Sequence, residues 1–249
     1  MTDLLDYTRH LPLPGTHNFR DVGGYETAGG GHIRWRTLFR SDSLHRLDAN
    51  AQQEIVSLGV RTIVDLRHLR ETEQLPNAFA TSRDVRYLNA PIVAFPAPKR
   101  LAESLEELNR IWLEHCQDPI SGVFARLGEP DAFPSVVHCA IGKDRTGLII
   151  ALLLRLAGVP AETVVEDYAL SGLYAAPAIA AFRDHVLLNG GDAAKLMPML
   201  ECRAEVMEVT LEHLDAAYGG VHDYVARIGV PEPVLEGIRA RLVEQPTPL

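Results

Sequence analysis

Cysteine is scarce in this chain of 249 residues, which carries only Cys116, Cys139 and Cys202. Three thiols make no disulfide framework, so a small crosslinked scaffold is excluded and a reducing compartment is expected. Long apolar runs are missing too: the longest, Leu148 to Leu154, falls far short of the ~20 residues that a membrane-crossing helix needs. The N-terminus, Met1-Thr2-Asp3-Leu4-Leu5-Asp6, has acids where a signal peptide carries a basic region and an apolar core. A cytoplasmic protein with no stable membrane insertion is therefore expected. Positive charge is in short supply, with 24 Lys and Arg against 33 Asp and Glu for a net −9. That balance gives no electrostatic reason to expect a nucleic-acid partner. No spaced cluster of histidines or carboxylates suits a metal, and no cofactor is expected. Repeats are lacking, and low complexity is confined to Gly29-Gly30-Gly31. With 47% hydrophobic residues, residues 1–249 read as a single domain with one sizeable core.

What is present is an alternation of strand and helix signals that predicts an open α/β sheet. A helix begins at Leu47-Asp48 and ends at Gly59, Val60–Leu66 follows as a strand, and Val85–Ala90 reads as another. Arg100–Gln117 reads as one helix with Pro119 after it. Pro134–Val137 is a short core strand, and the helix beyond it is apolar on every side over Leu148–Leu154. That helix closes at Gly158, and Pro160 opens the next, which runs toward Ser171. From Pro177 the pattern is helical throughout, over Ala178–Leu188, Glu201–Ala217, Val221–Ile228 and Pro231–Val243. Phe95-Pro96-Ala97-Pro98 and Asn189-Gly190-Gly191 interrupt it as joints.

Chemistry concentrates between the core strand and the buried helix, in His138-Cys139-Ala140-Ile141-Gly142-Lys143-Asp144-Arg145-Thr146-Gly147. The two glycines permit tight curvature, so the amides from Ala140 to Arg145 are expected to point inward as an anion-binding nest at a helix N-terminus. At the rim of such a nest Cys139 is favoured as the thiolate. Arg145 would grip two phosphoryl oxygens through its planar guanidinium and hold them as charge builds. Thr146 offers a hydroxyl to stabilise the thiolate as it leaves phosphorus. His138 is expected to fix the cysteine backbone rather than to act as a base, because a thiolate needs none. The other cysteines serve as controls: His115-Cys116 repeats the dipeptide with Gly122 where the arginine should be, and Cys202 has Glu208 there. Lysine is rare, only Lys99, Lys143 and Lys195 among 24 basic residues, and Lys143 is expected to add a second cation beside the phosphate.

His138-Cys139, five residues, then Arg145-Thr146 resembles the signature of the cysteine-dependent protein tyrosine phosphatases. Lys143-Asp144 within it resembles a bacterial subgroup of tyrosine and phosphoinositide phosphatases. Asn18-Phe19-Arg20-Asp21-Val22-Gly23-Gly24, Leu38-Phe39-Arg40-Ser41, Val64-Asp65-Leu66-Arg67 and Asp167-Tyr168-Ala169-Leu170-Ser171 also look like that subgroup's blocks, in its order. The resemblance implies a cysteine-phosphatase-type fold with a central, mostly parallel sheet flanked by helices. It also implies a helical lid over the site at roughly 171–200, with Gly190-Gly191 as its joint; a plain helical cap for the core is the alternative. The activity implied is hydrolysis of phosphotyrosine, with phosphoserine and phosphothreonine as a wider range, on a phosphorylated protein and through a phospho-cysteine intermediate. A phosphoinositide or inositol phosphate is the alternative substrate, which Lys143 favours. A rhodanese-type sulfurtransferase, whose loop typically encloses one residue fewer, and a non-catalytic phosphate-binding module are rival readings.

Expelling a phenolate whose pKa is near 10 calls for a proton donor. The Trp-Pro-Asp loop that supplies one in many tyrosine phosphatases is absent, since the tryptophans stand in Arg34-Trp35-Arg36 and Ile111-Trp112-Leu113. Two aspartates lead the candidates. Asp65 ends a strand, and if that strand runs parallel beside the cysteine strand, its carboxylate and the Arg67 guanidinium project into one crevice. The alternative is an Asp65–Arg67 pair or a capped turn; the matching aspartate of the family lines the active site, which favours the first. Asp144, inside the cradle, must point away from a dianion, be neutralised by Lys143 or Arg20, or carry a proton, and the last would make it a general acid. Asp118 and Asp131, each beside a proline, read as turn residues. Arg20 and Asp21 are expected either to bring a cation near the phosphate or to tie down the turn at Gly23-Gly24, and Arg40-Ser41 is read in the same way.

Overall fold

Ser135–His138 has β-branched valines at its centre and is buried on both faces, which is how a middle strand of a parallel sheet reads. The computed structural model describes residues 7–93 and 102–245; the joint expected at Phe95–Pro98 and the expected helix start at Arg100 lie outside them. Its elements in chain order are β1 (Arg20–Asp21), β2 (His32–Ile33), β3 (Leu38–Ser41), a 3-10 turn (Leu44–Arg46), α1 (Ala49–Ser57), β4 (Thr62–Asp65), α2 (Leu69–Gln74) and β5 (Arg86–Asn89). There follow α3 (Leu105–His115), α4 (Gln117–Leu127), β6 (Ser135–His138), α5 (Asp144–Leu156), α6 (Ala161–Tyr174), α7 (Ala176–Leu188) and α8 (Ala193–Leu200). Last come α9 (Ala204–Tyr218), α10 (Val221–Arg227), α11 (Glu232–Leu242) and β7 (Val243–Glu244).

Five strands form the central sheet in the order β1-β3-β6-β4-β5, and all pairs are parallel except the edge pair β1–β3. Side chains alternate across it as the pleat requires. Leu38, Val64 and Val137 face a large core shared with α3–α6 and α9–α11, while Phe39, Ile63 and Val136 face a smaller one under α1. Register brings Ser41, Asp65 and His138 level at the carboxyl ends of three adjacent strands. A parallel sheet binds ligands beyond those ends. β2 and β7 form a separate antiparallel ribbon.

Helix boundaries follow local chemistry. Asp48 caps α1 by accepting the Ala51 amide at 2.8 Å, and Gly59, at φ 81°, lets the chain turn out of it. The helix expected over Arg100–Gln117 is α3, which ends at His115 with Cys116 as its C-cap, and the following helix α4 was not anticipated. Pro119 comes after α3, in the first turn of α4, where its missing N–H is not needed. Strand β3 and helix α2 were not anticipated. The break at Asn189–Gly191 is found between α7 and α8, with Gly190 at φ 81°. No residue of α7 is buried, although the helix is largely apolar: Phe182 is 44% exposed and Leu188 88%. Among the described residues no helix is long and apolar enough to cross a membrane.

Candidate active site

β6 delivers Cys139 to the carboxyl edge of the sheet, 3% exposed, and the chain then turns through Ala140–Lys143 into α5. The loop's carbonyls are tied backward. Ser43 N donates to Ala140 O at 3.0 Å, Asn18 Nδ2 to Ile141 O at 3.2 Å and Gly142 O at 3.0 Å, and Arg40 Nη2 to Gly142 O at 2.9 Å. The amides of Ala140, Ile141 and Gly142 have no protein acceptor among the described residues. With its carbonyls held behind it and α5 starting at its end, the loop is a concave donor surface suited to an anion. Gly142 is required there: its φ is 73°, and a Cβ would stand 2.3 Å from the Ser41 carbonyl oxygen.

Arg145, in the first turn of α5, is clamped by an acid that sequence reasoning missed. Its Nη1 and Nη2 donate to Glu71 Oε2 and Oε1 at 2.7 and 3.0 Å, a bidentate pair with a fixed plane. Glu71 is itself fixed, because the His68 amide donates to its Oε2 at 2.9 Å and completes the capping box of α2. Burial alone would raise the Glu71 carboxyl, but Arg145 holds it below its ordinary value. Burial likewise opposes the Arg145 charge, and Glu71 more than restores it. Thr146 is buried, and its hydroxyl has no partner among the described residues.

The two candidate acids occupy opposite environments. Strands β4 and β6 are indeed parallel neighbours, with Asp65 level with His138, yet the Asp65 carboxylate is fully buried in a network of its own. It accepts from Arg67 Nε at 3.0 Å and Nη2 at 2.7 Å, from the Arg67 amide at 3.0 Å and from the Tyr87 hydroxyl at 3.0 Å. Burial favours its neutral form, but His138 and Arg67 outweigh burial and keep its pKa below the ordinary value. Asp144 is different: it lines the cavity, 23% exposed, with Lys143 Nζ at 3.3 Å. Burial raises its pKa, and Lys143 and Arg145 only partly offset this. Asp118 and Asp131 are exposed and do not line that cavity.

The remaining predicted residues are placed as follows. His138 Nδ1 donates to the Cys139 carbonyl at 3.1 Å and Nε2 accepts from Asn77 Nδ2 at 2.8 Å, an assignment that fits a neutral ring, and burial lowers its pKa. Lys143 does not face the loop's amides: its Nζ donates to Met199 O at 3.0 Å and Glu201 O at 2.6 Å, at the end of α8. Arg20 lies behind the loop rather than beside its anion site, bonded to Asn18 Oδ1, to Ser171 Oγ at 3.1 Å and to Asp167 O at 2.8 Å. Arg40 joins the same network, pairing with Asp167 and donating to Ser171 Oγ at 3.1 Å. Asp21 accepts the amides of Gly23 and Arg36 at 2.8 and 2.7 Å and ties down a turn. Arg67 donates to Leu75 O at 2.9 Å and, like Asp65, lies outside the cavity wall.

Over Cys139 and Arg145 opens a cavity of about 520 Å³. Its floor is Cys139, Ala140, Ile141, Asp144 and Arg145; its walls are apolar, from Ile92, Leu108 and Trp112 on one side and Phe182, Met199 and Leu200 of α7 and α8 on the other. A larger cavity of about 830 Å³ lies between Thr27–Gly29 and α11 and contains none of these groups. No cluster of three or more His, Cys, Asp or Glu able to hold a metal occurs among the described residues.

Comparison with known proteins places this site in company. The profile described as "Tyrosine phosphatase family" matches residues 11–244. A tyrosine-protein phosphatase of Nostoc commune is 32% identical, over 82% of this chain and 73% of that protein. The triple specificity protein phosphatase PtpB of Mycobacterium tuberculosis is 27% identical, over 93% of this chain and 98% of its own length. Among solved structures, the catalytic core of the PP-IP phosphatase SIW14 from S. cerevisiae superposes with a TM-score of 0.40 at 14% identity, over 64% of this chain and 78% of that one.

Proposed function

The chain belongs to the tyrosine phosphatase family, and from that premise we propose that it hydrolyses phosphotyrosine in proteins by a two-step mechanism with Cys139 as nucleophile, Arg145 as anion clamp and Asp144 as proton donor. The observation that carries the reading is the loop itself: its backbone carbonyls are bonded away from the cavity, and Cys139 and the Glu71-held guanidinium of Arg145 meet at the cavity's floor.

In the first step the Cys139 thiolate attacks phosphorus and the phosphorus–phenol oxygen bond breaks, while Arg145 and the loop amides hold the non-bridging oxygens. Asp144 gives its proton to the departing oxygen, for which a carboxyl raised by burial is suited. In the second step the Asp144 carboxylate takes a proton from water, the water oxygen attacks phosphorus, and the thiolate leaves with support from the Thr146 hydroxyl. Asp65 has a positioning role: its fully bonded, low-pKa carboxylate orients Arg67 and neighbours the His138 ring that fixes the Cys139 carbonyl.

The walls favour an aryl monoester. Arg145 is the sole basic side chain among the described residues lining the cavity, and Glu71 already pairs with it, so a substrate with several phosphates would find no second cation there. Apolar walls at Trp112 and Phe182 suit a phenyl ring. The test is release of inorganic phosphate from phosphotyrosine, phosphoserine and phosphothreonine peptides and from phosphoinositides, with Cys139→Ser as control. Phosphotyrosine should be fastest and every activity should vanish in the variant; faster turnover of phosphoinositides would transfer the reading to lipid substrates.

A further inference from the structure

Lys143 is the loop residue that the mechanism above does not use, and its placement is specific. Its side chain is fully buried, and a buried ammonium is tolerated only when its hydrogens are met. Two of its three donors are met by Met199 O at 3.0 Å and Glu201 O at 2.6 Å, and Asp144 Oδ1 stands 3.3 Å away as an ion-pair partner without a hydrogen bond to it. Both bonds turn the ammonium toward α8 rather than toward the loop's amides. The two carbonyls belong to the last turn of α8 and the residue after it, where helix carbonyls lack intrahelical partners and a cation is favoured by the helix dipole. The α7–α8 pair needs such an anchor: α7 has no buried residue, and in α8 Met197 is 41% exposed.

We propose that Lys143 is a positioning residue that latches the α7–α8 lid to the phosphate loop: by capping α8 it holds Met199 and Leu200 as a wall of the cavity over Cys139. One side chain thus joins the anion-binding floor to the apolar wall. The consequence for turnover rests on the phosphatase reading, but the latch itself does not. Its neighbour Asp144 faces Lys143, Arg145, Tyr168 and Cys202, so removing the lysine should also change how that carboxyl titrates.

The two tryptophans of the chain are Trp35 and Trp112, and Trp112, 8% exposed, lines the cavity beneath the lid. In a Trp35→Phe background, acrylamide quenching of Trp112 fluorescence reports whether the lid is latched without any need for turnover. Lys143→Met should increase that quenching and raise KM for a phosphotyrosine peptide about tenfold, the effect of losing hydrogen bonds from a charged donor. It should leave the Kd for inorganic phosphate unchanged. It should also move the alkaline limb of the phenyl phosphate pH profile upward, because Lys143 lowers the Asp144 pKa. Unchanged quenching with weakened phosphate binding would overturn the proposal and make Lys143 a phosphate ligand. If that variant does not fold, the wild-type chain decides by acetylation of its lysines with acetic anhydride. Lys143 should resist labelling with or without inorganic phosphate, and ready labelling that phosphate suppresses would overturn the latch. Should wild type prove inactive on every phosphate ester, the phosphatase reading fails while quenching and labelling still judge the latch.

Discussion

A single carboxyl separates this site from a bare phosphate cradle. Asp144 acts as an acid only while protonated, so with a poor leaving group activity should hold below its raised pKa and fall as pH rises through it. Asp144→Asn should slow phenyl phosphate about 10²- to 10⁴-fold, the usual worth of general acid catalysis, and slow 4-nitrophenyl phosphate far less; steady-state rates on the two esters check this. Asp65 is expected to behave otherwise. Asp65→Asn leaves the buried Arg67 without its charge partner, which should cost about 3–5 kcal/mol of stability, measured by urea unfolding, and any loss of rate should not depend on the leaving group. Glu71→Gln loosens the plane of Arg145 and should reduce kcat/KM up to about 100-fold without changing the leaving-group dependence. Cys139, Asp144 and Arg145 could be grouped from the sequence because they lie within one seven-residue stretch, while the choice between Asp65 and Asp144 as acid stayed open there. Glu71 was not, because it meets Arg145 only through folding and its capping-box signal is disguised by His68 at the N-cap position, where serine or threonine is the familiar residue.

Among the elements, the turn between β6 and α5 is the least tolerant. Gly142→Ala places a Cβ against the Ser41 carbonyl at a positive φ, and should abolish phosphate binding while the far-ultraviolet circular dichroism stays near wild type; titration with inorganic phosphate checks it. Helix α7 lies at the other extreme. Amide exchange should be rapid throughout α7, which buries nothing, and slow in α5, which is buried nearly along its whole length. Sequence periodicity located α1, β4, β5, β6 and most helices, because their apolar spacing and glycine or proline stops are local. β3 escaped notice because Leu38-Phe39-Arg40-Ser41 carries a fully buried arginine where a core strand should show an apolar residue. α4 escaped notice because Pro119 reads as the stop after α3, whereas it sits in the first turn of a new helix, where proline is tolerated.

Across the whole molecule, the separated sequence blocks around Arg20, Arg40 and Asp167 converge on one buried ionic network that pins α6 to the sheet and holds Gly142 O from behind. Burial would raise the Asp167 pKa, but Arg20 and Arg40 hold it at about 2. Against an unfolded value near 3.9, that contributes about 2–3 kcal/mol above about pH 5, which is lost as pH falls through 4 toward 2. Asp167→Asn should therefore destabilise the protein near neutrality and flatten the fall in stability between pH 4 and 2, as followed by urea midpoints across that range. On the function proposed above, this frame holds Cys139 beneath the substrate's phosphate. The most direct test is to acid-quench the protein during turnover of a phosphotyrosine peptide and search Cys139 for covalent phosphate by peptide mass spectrometry. A phospho-cysteine at Cys139, absent from Cys116, Cys202 and the Cys139→Ser variant, is the predicted result; phosphate release that persists in Cys139→Ser would contradict the account.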